Sequence, residues 1–177
     1  MKAMICREIS EDVGVLTPED VPDPAPGPGE VRVRLRAASV NFPDVLMIQG
    51  KYQFKPPLPF APGMEGAGLV DAVGEGVTTV REGDAVVVGA RYGCFAEQVV
   101  VPAASVRPKP ERLSFEQDAA YPAAYLTAYV ALVRRAALQP GETLLVHGAS
   151  GGVGLAAVDL GRVLGATVIA TTGRPEK

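Results

Sequence analysis

Between Glu30 and Ser39 apolar and polar residues alternate strictly, with Val31, Val33, Leu35 and Ala37 on one side and Arg32, Arg34 and Arg36 on the other. A period of two sends successive side chains to opposite faces of an extended chain, so the segment predicts a half-exposed β-strand. The run PDPAPGPGE before it is too rich in proline and glycine for a helix or strand interior and predicts a turn between two strands. GLVDAVGEGV, GDAVVVG and FAEQVVV repeat the β pattern at short intervals, each bounded by Gly or Pro. Residues 1 to about 107 therefore predict a small, mostly antiparallel β domain or barrel.

The pattern changes near Ser114. Ser114 followed by Gln117 is a capping-box pattern, and the Ala-rich stretch from Ala119 to Leu138 predicts a helix that Pro122 kinks or splits. QPGETLLVHG predicts a turn and a short apolar strand. From Gly152 to Leu164 a helical period puts Val153, Ala156, Ala157, Leu160 and Leu164 on one face, with Gly165 at the C′ position. ATVIATT predicts a second apolar strand, so residues 142–172 read as one βαβ unit with a parallel strand pair. The fold class is thus α/β with a mostly β N-terminal domain, divided into residues 1–113 and 114–177.

Composition narrows the classes. A hydrophobic fraction of 47% over 177 residues supplies a core, and no run of Lys or Arg in this chain of net charge −3 could track a nucleic-acid backbone. No apolar stretch is long enough to span a membrane. Cys6 and Cys94 form no C-x-x-C pair, and Lys2, Arg7 and Glu8 interrupt the start, which predicts a soluble protein of the reducing cytoplasm. Cys94 reads as a buried small residue at the start of a strand, and His147 as a packing or backbone-bonded residue.

The turn after the first strand of the βαβ unit reads Ala149-Ser150-Gly151-Gly152-Val153-Gly154, a G-x-G-x-x-G pattern with Ala in the first place. Gly151 would let a pyrophosphate approach the backbone, Gly154 would let helix and strand pack closely, and the anion would meet the helix N-terminus. NAD-specific sites place an acid at the end of the second strand, but Thr171, Thr172 and Gly173 stand there, with Arg174 and Lys177 beyond. NADPH is the expected cofactor, the alternative being that both cations are solvated loop charges.

Five motifs, ASVNFPDVLMIQGKYQ, PLPFAPGMEGAGLV, GVTTVREGDAVVV, YLTAYVAL and LLVHGASGGVGLAAVDLGRVLGATVIATT, occur in an order and spacing that resemble the zinc-independent quinone oxidoreductases of the medium-chain dehydrogenase/reductase superfamily, the group of ζ-crystallin. The resemblance covers essentially the whole chain. It implies a GroES-like N-terminal domain, a Rossmann nucleotide-binding domain beginning with the βαβ unit, an active site in the cleft between them, and a homo-oligomer. It also implies roles: Tyr52 as donor to the enolate oxygen that develops on hydride transfer, Asn41 beside the nicotinamide, Asp44 supporting that loop, and Thr127 facing the cofactor. The alternatives are structural: Asn41 and Asp44 as a turn and helix cap, Tyr52 as a half-buried aromatic, Thr127 as a neutral helix residue. Met64 stands where zinc-containing relatives carry His, and Asn41 near their first cysteine ligand. One His and two Cys cannot in the usual way build a catalytic or structural zinc site.

A doubly wound sheet usually has about six parallel strands, and two are predicted here. Residues 148–177 are therefore expected to be the adenosine-side grip of an NADPH site in the first part of a longer quinone or enone oxidoreductase. A 2-enoyl-thioester reductase, or a non-catalytic module pairing through its open sheet edge, is the alternative.

Overall fold

In the computed structural model, which describes residues 1–173, the chain opens with an antiparallel ribbon of β1 (Lys2–Ile5) and β2 (Thr17–Asp20). The alternating segment follows as β3 (Glu30–Ala38). With β4 (Glu65–Val73), β5 (Ala85–Gly89), β6 (Gln98–Pro102) and β7 (Val106–Pro108) it forms an antiparallel sheet in the order β6-β3-β4-β5-β7. Val31 and Val33 are fully buried and join Val70, Val86, Val88, Val99 and Val101 in one core. On the other face Arg32 and Arg34 reach the same carboxylate, Asp71, at 2.8 and 3.1 Å. The period of two is thus realised as apolar inside and charged outside.

Two chain segments matter for the site. Between β3 and β4 lies the short helix α1 (Phe42–Ile48), whose Met47 and Ile48 pack with Cys6 and Phe60 in a second core cluster. After β7 comes α2 (Phe115–Ala120), opened by the predicted capping box: Gln117 N–H donates to Ser114 Oγ at 3.2 Å, and Ser114 N–H donates to Gln117 Oε1 at 2.9 Å. Its Asp118 is fully buried and forms an ion pair with Lys109 at 3.2 Å. These elements make one compact unit, Met1–Ala120.

A second unit begins at Tyr121. Pro122 splits the predicted long helix, occupying the first turn of α3 (Pro122–Tyr129), where its missing N–H costs nothing. The helix does not run on regularly to Leu138; it widens into a π-helical turn, Val130–Arg135, and ends through Ala137 at φ +50°. Then come β8 (Thr143–His147), α4 (Gly152–Val163) and β9 (Thr167–Thr171), with β8 and β9 parallel and in register from Thr143↔Thr167 to His147↔Thr171. Gly161 lets α4 lie on this pair, because a Cβ there would sit 2.6 Å from Leu144 Cδ2. The directly paired Leu145 and Ile169 are exposed, so the pair has an uncovered apolar surface among the described residues.

The helical face predicted for α4 holds only in part. Ala156 is buried and Ala157, Leu160 and Leu164 are partly buried, but Val153, in the first turn beside the glycine loop, is exposed. Among the described residues no helix is long and apolar enough to cross a membrane.

Candidate functional site

In the first unit the site is built around the start of α1. Asn41 is the helix N-cap, and its backbone N–H donates to Asp44 Oδ2 at 2.8 Å. The other Asp44 oxygen accepts from Gly63 N–H at 3.1 Å. Gly63 has φ +100°, and a Cβ there would fall 2.7 Å from the backbone nitrogen of Phe95, so only glycine lets the two loops close here. Burial raises the Asp44 carboxyl above its ordinary range; the two N–H donors oppose this and the nearby Glu65 charge adds to it.

The Asn41 amide Nδ2 donates to Ser39 Oγ at 2.9 Å and to Glu65 Oε1 at 2.8 Å, and the Ser39 hydroxyl donates to the same Glu65 oxygen. Glu65 heads β4 and is buried. Ser39 and Glu65 lie within two of the motifs but carry no predicted role; the acid that opens the apolar run EGAGLV is the sequence signal by which Glu65 could have been found.

Tyr52 lies just beyond the other end of α1, its backbone N–H donating to Leu46 C=O at 3.1 Å. Its side chain lines a cavity of about 330 Å³ with Gln53, Phe54, Met64 and Arg91. The Arg91 guanidinium stands 5.2 Å over the Phe54 ring, and Tyr92 stacks on Phe54 with centroids 5.9 Å apart. Asn41 and Tyr52 therefore sit at opposite ends of one short helix, and the adjacent residues Met64 and Glu65 serve one each.

Cys94 is buried as expected, but it lies in the loop before β6 and not at a strand start. Burial, with the charges of Asp44 and Glu65 nearby, pushes its thiol up to about 12, so the free thiol is protonated and a poor nucleophile at neutral pH. Among the described residues no group of three or more His, Cys, Asp or Glu is arranged to hold a metal ion.

In the second unit the glycine loop takes the predicted place between β8 and α4. Gly148 turns the chain at φ +67°, and Gly154 is required by packing, since a Cβ there would meet Gly148 C=O at 2.3 Å. Gly151 and Gly152 differ: both have ordinary φ, a Cβ on Gly151 would only touch Gly148 C=O at 3.5 Å, and one on Gly152 would meet nothing within 4 Å. The protein's own packing does not demand glycine at either, whereas close approach of a ligand backbone would. The residues present thus fit a pyrophosphate at the N-terminus of α4.

Ser150 and Thr172 line a common cavity of about 270 Å³ with Ala149, Leu155, Val158, Ala170 and Thr171. Thr127 is exposed on α3 and does not line that cavity. The helix is tied to α4 by Tyr125, whose hydroxyl donates to Asp159 at 2.9 Å. The His147 side chain is exposed and does not pack in the core; among the described residues its Nδ1 lies 3.0 Å from Thr171 Oγ1. Arg174 and Lys177 lie outside the described residues.

Residues 27–111 match the alcohol dehydrogenase GroES-like domain. Over 99% of its length the chain is 42% identical to mouse quinone oxidoreductase-like protein 2, of which it covers 50%. The quinone oxidoreductase of Thermus thermophilus, solved also in complex with NADPH, superposes on 99% of the chain with a TM-score of 0.87 and 40% identity, over 55% of its own length. Residues 27–111 thus carry an alcohol dehydrogenase GroES-like domain, and the chain as a whole is similar to quinone oxidoreductase-like proteins. The human synaptic vesicle membrane protein VAT-1 homolog is also similar, 50% identical over 73% of the chain and 33% of itself. An NAD-dependent alcohol dehydrogenase structure matches 100% of the chain and 59% of its own, with a TM-score of 0.94 and 39% identity. The chain spans half or less of the length of these two curated relatives.

Proposed function

We propose that residues 1–113 form the substrate domain and 114–177 part of the nucleotide-binding domain, with 148–177 as its adenosine-side grip, of a zinc-independent NADPH-dependent quinone or enone oxidoreductase. The observation that carries this is the pair Gly151 and Gly152, which are glycine without any internal packing need, at the N-terminus of α4. Ser150, Val153 and Gly154 complete the loop, and Thr172 follows β9 with no acid among residues 171–173 to repel a 2′-phosphate. Arg174 and Lys177 are proposed to meet that phosphate.

When bound, NADPH supplies a hydride to an activated double bond or quinone. On the protein side, Tyr52 donates its hydroxyl hydrogen to the oxygen that gains negative charge, a role a metal would otherwise fill. The cavity it lines is apolar and aromatic on the Phe54 and Met64 side, which suits a flat conjugated substrate. Asn41 orients the nicotinamide ring, Asp44 fixes the backbone that carries Asn41, and Thr127 contacts the cofactor from α3. The zinc-independent reading rests on ligand chemistry: Met64 and Asn41 are poor zinc ligands, and one His and two Cys supply too few of the usual donors.

Fluorescence titration of the purified protein with NADPH and NADH tests the cofactor assignment, with turnover of a simple quinone and an enone followed before and after dialysis against a chelator. Tighter NADPH binding and chelator-resistant turnover are expected. NADH bound more tightly, or activity lost with the metal and restored by zinc, overturns the proposal.

A further inference from the structure

Asn41 is held from two sides. Its backbone is fixed by Asp44, itself pinned by Gly63, and its side-chain nitrogen is engaged by Ser39 Oγ at 2.9 Å and Glu65 Oε1 at 2.8 Å. Asp44 and Glu65 are 1% and 2% exposed, whereas Asn41 is half-buried between Val40 and Phe42, which are 76% and 73% exposed. An inner polar frame thus supports one amide at an apolar surface. A carboxylate only accepts hydrogen bonds, so Glu65 determines which end of the amide is nitrogen. Its carbonyl oxygen accepts from the Asp44 backbone N–H in the capping box, and with both N–H donors taken up inside the protein the Asn41 side chain can meet a ligand only through the second lone pair of that oxygen.

We propose that Glu65, acting with Ser39, is a positioning residue that sets the orientation of the Asn41 amide and presents its carbonyl oxygen to a hydrogen-bond donor on the bound cofactor. The ligand half rests on the proposed function, which places Asn41 beside the nicotinamide; the orientation by Glu65 does not. Holding a small polar group by a buried second layer is what a site needs to keep its geometry within about 0.5 Å. It also removes the amide flip that an unsupported asparagine at the surface would undergo.

The test combines two readouts on the purified protein. Side-chain amide signals in ¹⁵N spectra, with Asn41 assigned by its disappearance in Asn41→Ala, report orientation. Fluorescence titration with NADPH reports binding. In Glu65→Ala and Ser39→Ala the Asn41 amide pair should move toward solvent-exposed positions and exchange faster, and Glu65→Gln, which keeps an acceptor oxygen, should restore it in part. Glu65→Ala and Asn41→Ala should each weaken NADPH binding about tenfold, the scale of one hydrogen bond. The double variant should bind no more weakly than Asn41→Ala alone.

Asn41 signals unmoved in Ser39→Ala and in either Glu65 variant overturn the proposal, as does a double variant whose loss is the product of the two single losses. Asn41→Ala binding NADPH normally, while the amide still responds to Glu65, overturns the placement of Asn41 beside the cofactor and leaves the orientation by Glu65 established. Ser39→Ala and Glu65→Gln, being near-isosteric, keep the test decisive should Glu65→Ala fail to fold.

Discussion

Gly154 stands so close to Gly148 that a Cβ on Gly154 would lie 2.3 Å from the Gly148 carbonyl oxygen. The contact is backbone against backbone, so no side-chain rearrangement can relieve it. Gly154→Ala should cost about 1–3 kcal/mol of stability, the usual scale of overpacking. Gly152→Ala meets open space and should leave stability unchanged or slightly raised, while weakening NADPH binding about tenfold or more. Urea unfolding midpoints and NADPH titrations of the two variants separate packing glycine from ligand glycine.

Lys109 and Asp118 form an ion pair whose side chains are 10% and 0% exposed. The Asp118 carboxylate accepts no aligned hydrogen bond among the described residues, so Lys109 is its charge partner. The Lys109 ammonium also donates to Leu113 and to Pro110 C=O and lies 5.3 Å over the Phe115 ring, pinning the start of α2 to the end of β7. Lys109→Met should destabilise the protein by about 3–5 kcal/mol because it strands a buried carboxylate. Lys109→Met with Asp118→Leu should recover most of that, as read by denaturant midpoints.

Cys94, 1% exposed with its thiol pushed up to about 12, should resist alkylation by iodoacetamide at pH 8 until the protein is unfolded, as mass spectrometry will report. The same shift has a pH consequence. The unfolded thiol ionises near 9 and the folded one near 12, so the unfolded state binds fewer protons between these values. Stability contributed by Cys94 is therefore intact below pH 9 and declines as pH rises toward 12, a slope that Cys94→Ala should reduce.

Ala137 leaves the π-helical turn at φ +50°, a left-handed position that glycine or asparagine usually fills after a helix. Ala137→Gly relieves the Cβ clash at some cost in chain entropy and should stabilise by about 0.5–1 kcal/mol in thermal unfolding.

Tyr52→Phe keeps the ring in the cavity wall and removes only the hydroxyl. On the proposed function it should lower kcat by about 10²-fold, the effect of losing one oxyanion donor, with little change in NADPH affinity. Steady-state kinetics with a simple quinone will check it; unchanged turnover would remove Tyr52 from the mechanism.

What local pattern controls was legible from the residues alone. The alternation over β3, the Ser114–Gln117 box, Pro122 at a helix start and the glycine turn between β8 and α4 each depend on neighbours a few positions away, so the periods and caps that predicted them are the forces that form them. The regular helix expected to Leu138 was not, because its π-helical widening and the Ala137 turn break the 3.6-residue period without a proline or glycine to announce it. Contacts between distant segments were decided by the tertiary structure only. Glu65 reaches Asn41 across 24 positions, Lys109 meets Asp118 beneath the surface, and Arg91 comes to the wall that holds Tyr52. Hydrophobic pattern records which face a residue turns inward. It carries no record of which residue it will find there, and the Asn41 frame, made of partners from the turn after β3, from α1 and from β4, exists only once those elements have packed.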